Sequence, residues 1–192
     1  GGGQLGDQGY FHLDGTRTIS VLDTKIEEGV IIHFTDGFLN NGRIDAEVDN
    51  VRRRQLMDHH TAVHIVGGAA RDILGPHIRQ AGSNKGQRYA RIDLTHYSRM
   101  SRDLLDKIED RANDIVQLNP TVEKIILDRA EADSRFGFDI YQGGPPKHQE
   151  IRIIKIGDFD VQACGGTHHD EAGSIGELRI VRSSQVQDGV ER

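Results

Sequence analysis

The feature that most constrains this chain is a pair of short motifs far apart in sequence. His60 and His64 stand four positions apart, and so do Cys164 and His168. The first pair falls in a stretch with helical periodicity, so both imidazoles face one side of a helix. The second pair flanks Gly165, Gly166 and Thr167, which read as a tight, flexible turn. Three imidazoles and one thiolate make a natural tetrahedral set for zinc. Either pair alone is weak, because most histidines at such spacing belong to a surface or a satisfied core. Both together, with the only cysteine of the chain used, point to one metal site. Any fold then has to bring the middle of that helix against a turn about 100 positions later.

The neighbouring residues narrow the chemistry. A zinc protease would need glutamate directly after the first histidine, and Thr61 stands there. His59 and His169 are adjacent spares. Residue 63 is valine, so His59 has no partner at helical spacing, whereas spacing alone does not choose between His168 and His169. Four protein ligands would close the zinc shell, and closed shells usually serve structure. Such a site can hold the fold together, orient a substrate, or open when one ligand leaves.

A length of 192 residues admits one large domain or two small ones. With no tryptophan, the core is expected to be aliphatic. No apolar run approaches the ~20 residues that span a bilayer, and no charged-then-apolar leader opens the chain. One cysteine excludes an internal disulfide, so the reducing cytoplasm is the expected location. The net charge of −6 argues against a nucleic-acid partner until its distribution is considered. Residues 52–102 alone carry 10 Lys/Arg against 3 Asp/Glu. Local charge steers a polyanion, and Arg52, Arg53, Arg54, Arg79, Lys85, Arg88 and Arg91 are the candidates to meet phosphates.

Periodicity predicts strands at 10–13, 17–23, 30–35 and 43–48, punctuated by Gly15, Asp36-Gly37 and Asn40-Asn41-Gly42. Their edges suggest part of a barrel. A long amphipathic helix follows from about Val51 to Gly75-Pro76, with Gly67-Gly68 inside it permitting close approach of another backbone. Residues 78–83 and 87–95 read as extended, and 101–118 as a second helix stopped by Asn119-Pro120. Strands are expected at 122–128, 150–156, 159–163 and 175–182, a short helix at 129–135, and a loop at Gly143-Gly144-Pro145-Pro146. Asp93 and His96 read as a hydrogen-bonded structural pair. The fold class is α+β. The expected division is a partial β-barrel with the glycine-rich motif over 1–50, then over 51–192 a two-layer α/β domain with an antiparallel sheet and two main helices.

Several strings occur together and in order: GGGQLGDQG, HHTAVH, RQAGS, RIDLTHY, YQGG, and CGGTH followed by GSIGELRIV. In this the chain resembles the editing region of alanyl-tRNA synthetases, the archaeal branch above all. Stand-alone alanyl-tRNA editing proteins and the editing module of threonyl-tRNA synthetase are related. The resemblance runs from Gly1 to Arg192. It implies hydrolysis of Ser-tRNA(Ala), and of Gly-tRNA(Ala), at a site with one zinc ion. It places His60, His64, Cys164 and His168 on the ligands, Gln80 on a pocket-lining glutamine, and Gln4 in a glycine-rich motif near that pocket. The implied partners are the tRNA(Ala) acceptor end and other synthetase domains, with neither membrane nor DNA. The sequence departs from the pattern at Glu171-Ala172-Gly173, where an Asn-Thr-Gly-like run is common. The aminoacylation motifs are missing, so the chain reads as an editing fragment, and ATP would serve only the part outside it.

An aminoacyl ester is already activated, so its hydrolysis needs a positioned water and electrostatic help. Backbone N–H groups around Gly166 and Thr167 are the expected oxyanion donors, with Gln80 orienting the substrate. A second site can select serine by bonding its hydroxyl, for which Thr61, Thr167 and Gln80 are candidates. Gln4, Thr61, Arg79 and Arg88 are the expected substrate contacts.

Overall fold

A computed structural model describes residues 3–13, 17–144 and 148–192; Pro145 and Pro146 of the expected loop, and Gly15, lie outside them. The chain opens with β1 (Gly9–Leu13), β2 (Arg17–Glu27), β3 (Val30–Thr35) and β4 (Asp45–Val48), joined as an antiparallel sheet in the order β3-β2-β1-β4. Alternation buries Phe11, Ile19 and Val21, with Leu13, Leu39 and Ile44 packed against them. Among the described residues β3 and β4 are edges that do not pair with each other.

Helix α1 (Asn50–Leu74) follows, capped by Asp49, whose side chain accepts from the Arg52 N–H at 3.0 Å. It ends at Gly75, where φ is +107°. Gly67 and Gly68 sit on its buried face, but side chains rather than another backbone fill the space beside them. A methyl at Gly68 would lie 2.7 Å from the Phe159 ring, and one at Gly67 3.3 Å from Ile92 Cδ1. Next come β5 (Gln80–Lys85) and β6 (Ala90–Thr95), an antiparallel hairpin. Helix α2 (Arg102–Leu118) buries Leu105, Ile108, Ala112, Ile115 and Val116 on one stripe. Ser101 caps its start, and Asn119 ends it in the left-handed conformation just before Pro120.

A third antiparallel sheet holds β7 (Val122–Asp128), β8 (Glu150–Ile156) and β9 (Asp160–Ala163), with α3 (Arg129–Phe136) beside it. The central strand β8 is buried on both faces. Ile151 and Ile153 pack with Ala132 and Ile140, while Ile154 and Ile156 join the main core of Ile65, Ala69, Leu94, Ile108 and Ile115. That core lies between α1, α2 and the two sheets, and it is aliphatic as the composition required. Two short strands, β10 (Gln185–Gln187) and β11 (Val190–Glu191), complete the β5–β6 sheet, with β11 paired to β6.

The strand expected at 175–182 is absent. A 3₁₀ turn occupies Ala172–Ile175, and residues 176–184 have no regular structure. The alternating apolar residues still point inward, for Ile175, Leu178 and Ile180 pack on the main core. The backbone, however, is satisfied by side chains of α2. Asn113 bonds both the O and the N of Leu178, at 3.1 and 3.0 Å. Glu109 accepts from the Ile180 N–H at 2.5 Å, and Arg102 donates to its O at 3.1 Å. Periodicity reports which side chains are buried, not what bonds the main chain. The Asp93–His96 pair also fails to form. Asp93 takes Arg192 at 2.8 Å, while His96 takes His77 at 3.1 Å.

Asn113→Ala leaves both main-chain groups of Leu178 unpaired. It is expected to cost ~1–3 kcal/mol, read as a lower urea midpoint at unchanged slope.

Candidate metal centre

α1 carries His60 and His64 on its buried face, and the stretch after β9 carries Cys164 and His168. Their ligand atoms all lie within 4.8 Å of one another. His60 Nε2 is 3.2 Å from Cys164 Sγ, and the His60 and His168 rings are 4.3 Å apart. The two spares are turned elsewhere. His169 bonds Asp58 at 2.6 Å, and His59 bonds the carbonyl of Gly86 at 2.7 Å.

Each imidazole of the cluster has an acceptor behind it. His60 Nδ1 bonds Gln4 Oε1 at 2.7 Å, and His168 Nδ1 reaches Thr61 Oγ1 at 3.4 Å. His64 Nδ1 lies 3.5 Å from Asp160 Oδ2, an ion-pair contact without hydrogen-bond alignment. Partners of this kind fix tautomer and ring orientation, leaving Nε2 to face inward. Asp160 is itself buried and held by Gln162 at 2.8 Å and Arg71 at 3.4 Å.

The turn is built with equal care. Arg152 Nη1 donates to the carbonyls of Cys164 and Gly166 at 2.8 and 2.7 Å, so both oxygens point away from the donors. A Cβ on Gly166 would stand 1.9 Å from His60 Cε1. Only glycine lets the turn approach the helix so closely.

The electrostatics favour a bound cation. Burial opposes charge on the Cys164 thiol, but the imidazoles of His168, His60 and His64 around it outweigh that and hold the group down to about 2. Burial likewise opposes charge on His64, yet Asp160 and Cys164 carry it up to about 9. Burial and the charges of its neighbours bring His168 down to about 3. His60 is lowered too, chiefly by burial. One orphan stands out: His168 Nε2 is buried and has no hydrogen-bond partner among the described residues. A thiolate, the neutral imidazoles of His60 and His168, and an unmatched inward lone pair fit a borderline-soft divalent cation such as zinc.

The other expected site residues divide. Gln4, Thr61, Gly166 and Thr167 lie at the cluster; Thr167 donates its N–H to Gln4 Oε1 at 2.9 Å and accepts from Gln4 Nε2 at 2.8 Å. Thr61 is wholly buried and engaged with His168 and the His169 N–H. Gln80 stands on β5, bonded to Ser83 Oγ at 3.3 Å rather than to any of the four. Ser83 in turn takes Lys85 Nζ at 2.5 Å, so a polar row runs along β5 toward Cys164, whose charge reaches Lys85. Lys85 is 1% exposed, and burial lowers it to about 8, against the pull of Cys164.

Lys85 therefore does not belong to a phosphate-facing patch, and neither does Arg52, which is buried with Nη1 on the Gly6 carbonyl. Arg53 pairs with Asp7, Arg79 with Asp139 and Arg91 with Asp93. Arg54 and Arg88 are exposed, and neither has an ion pair among the described residues. Arg152 and Asp160 escaped the sequence reading, because an isolated arginine and aspartate in strands carry no motif. Their only signal is a charge at a position whose strand phase points inward.

A divalent cation bound at neutral pH would have to displace the proton of His64. Its apparent affinity is expected to rise about tenfold per pH unit up to about 9 and then level off. Chelator competition across that range checks this, and a flat profile contradicts it. Gly166→Ala is expected to weaken zinc by ~10-fold or more, because its methyl displaces His60.

Comparison with known proteins finds relatives along the whole chain. Residues 151–192 match the family described as "Threonyl and Alanyl tRNA synthetase second additional domain". The whole chain is 50% identical to an alanine–tRNA ligase of Haloquadratum walsbyi and 47% to one of Halobacterium salinarum, covering 21% of each. It is 44% identical to the alanine–tRNA ligase of Methanopyrus kandleri, again over 21% of that protein. The chain thus spans about a fifth of the length of the curated relatives it matches. Among the described residues no helix is long and apolar enough to cross a membrane. Over its full length, therefore, the chain is similar to a segment making up about a fifth of archaeal alanine–tRNA ligases, and its residues 151–192 match the second additional domain of threonyl and alanyl synthetases.

Proposed function

We propose that this chain hydrolyses the ester of mischarged alanine tRNA, taking Ser-tRNA(Ala) and Gly-tRNA(Ala) as substrates. The observation that carries this reading is the buried Cys/His₃ cluster, closed by a glycine turn, in a chain that matches alanine–tRNA ligases throughout. We divide the chain near residue 50, between β4 and α1. The apolar cluster around Phe11, Ile19 and Val21 is separate from the main core, which supports that boundary.

His60, His64, Cys164 and His168 would hold one zinc ion. When bound, it supplies an electrophile that polarises the ester carbonyl or acidifies water. The remaining work falls to the chain. Arg152 turns the carbonyls of Cys164 and Gly166 away from the donors, and no acceptor takes the Gly166 N–H among the described residues. That N–H is the better oxyanion donor of the turn, since the Thr167 N–H is already given to Gln4. Thr167 Oγ1 accepts from Gln4, which leaves its own proton to meet a substrate hydroxyl. Gln80, at the outer end of the β5 polar row, orients the aminoacyl group. Water adds across the ester, the bond to the ribose oxygen breaks, and the amino acid departs as its carboxylate. Arg54 and Arg88 meet backbone phosphates of the acceptor end, joined by Arg79 when Asp139 releases it.

A closed four-ligand shell favours one other reading, a zinc-stabilised RNA-binding module without catalysis. A deacylation assay separates the two. The folded, zinc-loaded chain is expected to release serine from Ser-tRNA(Ala), and chelation to stop it. No release by that species supports the binding module. Gln80→Ala is expected to lower kcat/KM ~10-fold or more, and an unchanged rate and Ser/Ala preference removes Gln80 from the site. tRNA affinity is expected to fall steeply with salt; a flat response takes Arg54 and Arg88 off the tRNA surface.

A further inference from the structure

Gln4 lies outside the elements that carry the four donors. It reaches them because the glycine-rich segment docks along β5. The Lys85 N–H donates to the Gly3 carbonyl at 2.9 Å, the Leu5 N–H to the Lys85 carbonyl at 3.4 Å, and Gln4 forms a parallel bridge with Lys85. Gly3 has a φ of +75°, and a Cβ there would stand 2.4 Å from the Ser83 carbonyl oxygen. Glycine is thus required for the approach.

Docked in this way, the Gln4 carboxamide meets two parts of the site at once. Oε1 accepts from His60 Nδ1 at 2.7 Å and from the Thr167 N–H at 2.9 Å, while Nε2 donates to Thr167 Oγ1 at 2.8 Å. The Thr167 N–H can only donate, so it requires the oxygen of the amide to face it. That oxygen in turn can only accept, so the proton of His60 sits on Nδ1. His60 Nε2, 3.2 Å from Cys164 Sγ, is left with its lone pair toward the donors. One planar amide therefore sets the tautomer of a ligand on α1 and the distance of that helix from the Cys164–His168 turn.

We propose that Gln4 is a positioning residue for a divalent cation at His60, His64, Cys164 and His168. Its amide is committed to the cluster rather than reserved for the substrate. Docking of the glycine-rich segment and cation binding are then linked: each stabilises the other. The activity arm of the test rests on the editing reading above; the metal arms do not.

The full chain is compared as wild type, Gln4→Ala and Gln4→Glu, each loaded with Zn²⁺ and, separately, Co²⁺. Gln4→Ala is expected to lose ~10–100-fold in metal affinity by chelator competition and to shift the visible bands of the Co²⁺ form. Gln4→Glu keeps an acceptor for both His60 and Thr167, and is expected to restore affinity to within about threefold and the spectrum with it. Metal is expected to slow hydrogen exchange of the Thr167 N–H in the wild type but not in Gln4→Ala. Should Gln4→Ala not fold, Thr167→Val replaces it. That variant removes the Nε2 arm alone, and it is expected to weaken metal by less. The proposal is overturned if the folded variants bind metal as the wild type does, with an unchanged Co²⁺ spectrum. A raised KM for mischarged tRNA at constant kcat would then mark Gln4 as a substrate contact. Metal arms as expected in a chain that deacylates nothing support the role of Gln4 while overturning the editing reading.

Discussion

Four donor atoms drawn together in a buried space repel water and one another unless something behind each of them answers. This is the constraint that orders the molecule. The thiolate of Cys164 is supported by three imidazoles, and the imidazoles by Gln4, Thr61 and Asp160. These three come from different parts of the chain: the glycine-rich start, the middle of α1, and β9. Gathering these four donors has thus required the N-terminal segment, the long helix and the β7–β9 sheet to meet at one place. Outer partners of this kind tune a metal centre as much as its ligands do.

Space is controlled as strictly as charge. The turn after Cys164 approaches α1 so closely that Gly166 can carry no side chain, and Gly3 allows the same intimacy between the first segment and β5. Arg152 spends its guanidinium on two carbonyls of the turn, those of Cys164 and Gly166. These contacts are added to the packing of Cys164 against the main apolar core. Fixed dipoles of this kind need no reorganisation when charge develops beside them.

Much of this was legible in the sequence, and for stated reasons. Helical spacing put His60 and His64 on one face, and the lone cysteine with its nearby histidine completed the donor set. Strand alternation found the Ile-rich β8, and the Asn119-Pro120 stop found the end of α2. What escaped has a common cause. Asp160 and Arg152 act through single long-range contacts that no local spacing encodes. Lys85 and Arg52 read as surface charge because composition does not report burial. The 175–182 stretch has the apolar alternation of a strand, but its main chain bonds to α2 instead.

That last segment has a mechanical consequence. A strand in a sheet is released only by breaking a ladder shared with its neighbours. Leu178 and Ile180 are instead laced to one helix by Arg102, Glu109 and Asn113, which sit along a single edge of α2, while Ser183 and Ser184 are tied to Glu191 and Arg192. Those ties to α2 can be released one at a time while all three sheets stay whole. The segment is therefore a detachable hem, whose hold is set by the rotation of α2 about its own axis.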